Sequence, residues 1–107
     1  MESVLVVEEP AIRKLIGGIL KRGGYRVTEA DPNHGLDCLR NKTESFTLLV
    51  TNSPEGFLEF AKTVPVIYVA AMPDPELAQR FRHCAMLPKP FVPHRLIELA
   101  GELTAAL

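Results

Sequence analysis

Ser3–Leu20 reads SVLVVEEPAIRKLIGGIL, and the change of rhythm inside it decides the fold. Ser3–Val7 is a short, uninterrupted, β-branched run, the pattern of a strand buried on both faces of a parallel sheet. Two glutamates and a proline follow. Ile12, Leu15, Ile16, Ile19 and Leu20 then recur with helical spacing and draw one inward apolar stripe. Gly23-Gly24 closes that helix, because glycine takes the left-handed conformation of a C-terminal cap without penalty. Strand, tight loop and helix in that order make one β–α unit.

The unit repeats along the chain. YRVTEA (residues 25–30) alternates as a second strand, and Pro32–Arg40 predicts a short helix with Leu36 and Leu39 inward. FTLLVT (46–51) predicts a third strand and EGFLEFAK (55–62) a brief helix. VPVIYVAA (64–71), opened structurally by Pro65, predicts a fourth strand, and PELAQRFRHC (75–84) a helix packing Leu77 and Phe81. AMLP (85–88) is a fifth, very short strand, before a terminal helix striped by Leu96, Ile97, Ala100 and Leu103. Each predicted helix opens at a proline: Pro10, Pro32, Pro54, Pro75 and Pro93. Proline suits the first helical position, where its missing N–H has no intrahelical partner. Asp31, Ser53 and Asp74 stand just before such prolines, as side-chain caps should. Five β–α units imply right-handed crossovers and an open, doubly wound α/β sheet with helices on both faces. In such sheets ligands sit beyond the carboxyl ends of the strands. Glu8, Glu9, Asn52, Ala70 and Lys89 fall at that edge.

Bulk properties bound the function. The 107 residues have room for one domain spanning 1–107, and an apolar fraction of 47% argues for a packed core. A net charge of −1, with both signs mixed along the chain, shows no nucleic-acid footprint. Arg13-Lys14 and Lys21-Arg22 read as solvated helix faces. No apolar run reaches the roughly 20 residues of a membrane span, and no signal peptide opens the chain. Cys38 and Cys84 lie far apart in apolar, helix-like contexts, which fits buried thiols in a reducing cytoplasm. His34, His83 and His94 have no ligand spacing, so no metal site is expected.

Four stretches taken together, VLVVEEPAIRKLI, TLLVTNSP, VPVIYVAA and LPKPF, resemble the receiver domain of two-component response regulators, the CheY-like family. The resemblance covers essentially the whole chain and implies a flavodoxin-like sheet of strand order 2-1-3-4-5. In that family an acidic pair after the first strand helps bind Mg²⁺. An aspartate closing the third strand accepts a phosphoryl group. A Ser/Thr after the fourth strand and a lysine after the fifth contact it, with an aromatic switch residue shortly before the lysine. By this resemblance Glu8 and Glu9 stand for the acidic pair, Asn52 for the phosphoacceptor, Ala70 for the switch hydroxyl and Met86 for the aromatic switch. Lys89 is retained, and the resemblance implies a cis peptide at Lys89-Pro90 that turns the lysine inward. The stretch between the third and fourth strands is short, so the third helix should be truncated.

These departures matter chemically. Aspartyl phosphorylation needs a carboxylate nucleophile, and an amide forms no stable acyl phosphate. Mg²⁺ wants anionic oxygens in octahedral array, so one amide and two long glutamates predict no bound cofactor and Mg²⁺ affinity of about millimolar or weaker. Ala70 offers no hydroxyl. Blander roles stand beside these. Glu8 and Glu9 favour a helix N-terminus electrostatically, Asn52 caps its loop, and Lys89 pairs with Glu8 or Glu9.

The leading expectation is a non-enzymatic, degenerate receiver that signals through protein contacts. The resemblance implies a partner, or a second copy in a homodimer, on the fourth helix, fifth strand and fifth helix (residues 74–83, 85–87 and 93–103). Gln79, Arg80, His83, Arg95 and Glu98 are its outward candidates. The alternatives are a conventional phosphorylated receiver whose acceptor lies elsewhere, Thr51 and Ser53 being adjacent hydroxyls, and a flavodoxin-like ligand-binding protein. The last needs a Ser/Thr/Gly-rich phosphate loop after the first strand, and EEPA is the opposite.

Overall fold

The apolar runs pair into one sheet and the amphipathic stretches cover it. A computed structural model describes residues 2–42 and 44–105. Its elements are β1 (Ser3–Val7), α1 (Pro10–Arg22), β2 (Arg26–Ala30), α2 (Pro32–Asn41), β3 (Leu48–Thr51), a 3-10 segment (Pro54–Phe60), β4 (Val66–Ala70), α3 (Pro75–Gln79), β5 (Cys84–Pro88) and α4 (Pro93–Ala105). All strand pairs are parallel, as the repeated units predict, and the order is β2-β1-β3-β4-β5, as the resemblance implies.

The strict alternation of side chains along each strand divides the core in two. Val4, Val6, Leu48, Val50, Ile67 and Val69 point to the face covered by α1 and α4, where Ile16, Leu20, Leu96 and Ala100 meet them. Leu5, Val7, Leu49, Val66 and Tyr68 point to the other face, against Leu39, Phe57, Ala78 and Phe81. Both faces are thus apolar, which explains the uninterrupted run of β1: each side chain of Ser3–Val7 is buried.

Proline opens every helix as expected, but the caps differ. The Asp31 carboxylate accepts from the His34 N–H at 2.8 Å, and Asp74 from the Glu76 N–H at 3.0 Å. Ser53 makes no side-chain cap, because its hydroxyl donates to Asn52 Oδ1 instead. At the end of α1 the positive φ of 95° falls on Gly24, while Gly23 has φ −81°. Gly23 serves a different purpose: a Cβ there would stand 2.5 Å from Ile97 Cδ1, so its missing side chain seats α4.

Three further expectations are corrected. Leu15 is not inward; it is 52% exposed, because Ile12, Ile16 and Ile19 occupy the part of the stripe that meets the sheet and α4. The helix expected over residues 75–84 stops at Gln79. Beyond it the backbone is claimed by neighbours: Arg82 N–H donates to the Ala61 carbonyl at 2.8 Å, and Val66 N–H to that of His83 at 2.9 Å. Cys84 accordingly starts a strand, and both thiols are free and half-buried. The third and fourth strands are shorter than the apolar runs that contain them. The truncated third helix survives as the 3-10 segment, kinked at Phe57, whose ring is buried.

Candidate functional site

Register brings the ends of β1, β2 and β3 level, and β4 and β5 end together two residues further on. Val7 pairs with Ala30 and Thr51, Thr51 with Tyr68, and Ala70 with Pro88. The residues that follow each strand therefore gather at one edge of the sheet. A depression of about 540 Å³ there is lined by Glu8, Glu9, Arg13, Asp31, Asn52 and Ser53, with Pro10 and Pro32. Three of the expected residues meet here. Arg13 and Asp31 join them unforeseen. Asp31 was legible as a helix cap, and its place beside Glu8 follows from the pairing of Val7 with Ala30. Arg13 arrives because its N–H bonds the Glu9 carbonyl at 2.7 Å, one turn into α1.

Glu8 is the buried member of the acidic pair, with its side chain at 0% exposure, whereas Glu9 faces solvent. One carboxylate oxygen of Glu8 accepts from the Glu9 N–H at 2.9 Å. The other lies 3.1 Å from Lys89 Nζ. That approach is too oblique for a hydrogen bond, so the contact is ionic. A carboxylate stripped of water needs such a countercharge, since an unpaired buried ion costs several kcal/mol. The Lys89-Pro90 peptide is cis, and Lys89 N–H donates to the Ala70 carbonyl at 2.8 Å, which fixes the backbone from which the ammonium turns inward.

The Asn52 loop is held by its neighbours. Thr51, fully buried, accepts the Ser53 N–H on its Oγ1 at 3.1 Å, and Ser53 Oγ donates to Asn52 Oδ1 at 3.3 Å. Thr51 thus does the turn-closing expected of Asn52, an interaction open to any Ser/Thr/Asn/Asp at a strand end. Ala70 and Met86 lie outside the depression. Ala70 closes β4 with a methyl group, and Met86 stands 42% exposed on the edge strand β5. Tyr68, buried on β4, accepts the Asp74 N–H on its hydroxyl at 3.3 Å and so ties down the loop into α3.

The site holds three carboxylates (Glu8, Glu9, Asp31) and two cations, Arg13 in the lining and Lys89 on Glu8. These residues do not fit Mg²⁺. Both Glu8 oxygens are engaged and Asn52 is neutral. The three histidines do not meet.

No protein-family model matches the chain, and no curated protein matches it in sequence. Solved structures do match it in shape. The chemotaxis response regulator CheY4 of Vibrio cholerae superposes with a TM-score of 0.78 at 21% identity, covering 96% of this chain and 98% of that one. A response regulator receiver domain protein from Clostridium thermocellum gives 0.81 at 17% identity, covering 99% and 96%. The receiver domain of the hybrid histidine kinase CckA gives 0.74 at 22%, covering 95% and 98%. With its strand order and the placement of its strand-end residues, the chain has the response-regulator receiver fold.

Proposed function

We propose that the chain is a receiver-type signalling module that works through protein contacts, without aspartyl phosphorylation and without catalysing a reaction. The observation that carries this reading is the pairing of Lys89 with Glu8 beside an amide at position 52. A phosphorylated receiver needs a carboxylate there and a lysine free to meet the phosphoryl group. Here the carboxylate is missing and the lysine is committed to Glu8. Thr51 does not supply a substitute acceptor, because its hydroxyl is buried and closes the turn.

The partner face in this reading is α3, β5 and α4. Gln79, Arg80, Arg95 and Glu98 are exposed on it, His83 is half-buried, and Met86 stands between two shallow depressions. The occupant is another protein or a second copy of the chain, met in the cytoplasm with Cys38 and Cys84 reduced. No described helix is long and apolar enough to cross a membrane.

The test is incubation with acetyl phosphate and Mg²⁺, read by intact mass. The wild type should gain no phosphoryl group, and Arg80→Glu or Arg95→Glu should abolish partner association with the melting temperature unchanged. Phosphorylation of the wild type, or association that requires Asn52→Asp together with the phosphodonor, would refute the reading.

A further inference from the structure

Asn52 is followed by Ser53, a small residue whose peptide nitrogen can reach the asparagine side chain and expel its ammonia. The other asparagines, Asn33 and Asn41, lie within helix α2, where the backbone is held; the N–H after Asn33 donates to the Asp31 carboxylate. Asn52 stands in neither helix nor strand, between the end of β3 and the 3-10 segment. Pro54 keeps Ser53 out of the helical region, at φ −132° and ψ 63°.

Two features favour attack and one restrains it. Ser53 Oγ donates to Asn52 Oδ1 at 3.3 Å and draws electrons from the carbon to be attacked. Asn52 is half-buried in the wall of the open depression, so water reaches it and ammonia can leave. The restraint is Thr51, whose Oγ1 accepts the Ser53 N–H at 3.1 Å. Thr51 is fully buried and β-branched, so this acceptor does not turn away. The Ser53 nitrogen is free to attack only when that bond opens and the proton is lost.

We propose that Asn52-Ser53 is a self-modification site, gated by Thr51, that turns the amide at the acceptor position into a carboxylate. The Ser53 nitrogen gives its proton to hydroxide and bonds Asn52 Cγ, the side-chain nitrogen leaves as ammonia, and a succinimide ring remains. Water then opens the ring at either carbonyl, to aspartate or isoaspartate. One water is consumed and one ammonia released, with no oxidant or reductant. The isoaspartyl product carries an extra backbone atom and displaces Ser53. The aspartyl product sets a fourth carboxylate beside Glu8, Glu9 and Asp31, supplying the nucleophile and anionic oxygen that the amide lacks. The inference rests on the reading that the chain as translated takes no phosphoryl group.

The test holds the full chain at mildly alkaline pH and follows intact mass and peptide maps. A gain of one mass unit at Asn52 is expected, slower than in the same chain unfolded in urea. Asn52→Gln, which would have to close a larger ring, should gain none. Thr51→Val keeps the shape and removes the acceptor, so conversion should quicken roughly threefold to tenfold, as loss of one hydrogen bond shifts an opening equilibrium. Val69→Ala lowers stability from the opposite face of the sheet and leaves the bond in place, so its rate should match the wild type. The aspartyl fraction, separated by anion exchange, should take a phosphoryl group from acetyl phosphate and Mg²⁺. Equal rates in the wild type and Thr51→Val would overturn the proposal, as would a gain confined to Asn33 or Asn41, or an aspartyl fraction that takes no phosphoryl group. A phosphoryl group on the unconverted chain would refute the earlier reading instead, so the two failures are distinct.

Discussion

Glu8 is a charge placed where charge is expensive, and Lys89 makes it tolerable. Replacing Lys89 by methionine keeps the packing of the stem and leaves the carboxylate unpaired. Lys89 is 29% exposed, so water softens the loss. We expect Lys89→Met to cost about 1–3 kcal/mol in urea unfolding, below the range for a fully buried pair. Glu8→Gln in that background should recover most of it. A neutral Lys89→Met would show that the pair is ornamental. Cys84 makes stability depend on pH. Burial pushes its thiol up from 9.0 to about 11, so the folded chain keeps a proton that the unfolded chain releases first. Its stabilisation is whole below pH 9.0 and is lost as pH rises from there to about 11. Cys84→Ala should flatten the alkaline fall in stability between those pH values, measured by denaturant titrations at stepped pH. An unchanged slope would rule the thiol out as its source.

Among the elements, α2 lies so close to β1 that a Cβ on Gly35 would be 2.7 Å from Val7 Cγ2. Val7 is 1% exposed and β-branched, so it has nowhere to turn. Alanine would gain up to about 1 kcal/mol of helix propensity at Gly35, but overpacking typically costs about 1–3 kcal/mol, and the clash should win. Gly35→Ala should therefore lower the melting temperature, and Val7→Ala in the same chain should relieve part of the added strain. A stabilised Gly35→Ala would mean that α2 can slide. Helix starts were legible in the sequence because proline and aspartate act locally. Helix ends were less so. The stop of α3 at Gln79 depends on the Ala61 carbonyl, far away in the chain. Leu15 was misplaced for a related reason: periodicity gives the width of an apolar stripe, not how much of it a neighbour covers. In the site, Glu8, Asn52 and Lys89 were readable as strand-end residues. Arg13 was hidden on a helix, and Thr51 looked like one more strand residue.

At the scale of the whole molecule the parallel sheet followed from five repeated units, and its strand order from a resemblance that spans the chain. What no local pattern could supply was the pairing of the first unit with the last. Helix α4 covers the same face as α1: Leu96, Leu99 and Ala100 pack into one cluster with Val4, Val6, Leu48 and Val50, and Ile97 sits over Gly23. The cluster therefore has residues from both ends of the described chain.

That closure sets a schedule for biosynthesis. Until α4 has left the ribosome, that face is covered by α1 alone, and the side chains of β3, β4 and β5 that α4 meets stay in water. Nascent chains stalled at Val92 should be cut readily by protease and bind a hydrophobic dye, whereas chains stalled after α4 has cleared the exit tunnel should resist. Protection appearing before α4 emerges would show that β1–β5 form an autonomous folding unit. The stretch up to Val92 is therefore the part of the nascent chain with the most apolar surface left for a chaperone to cover.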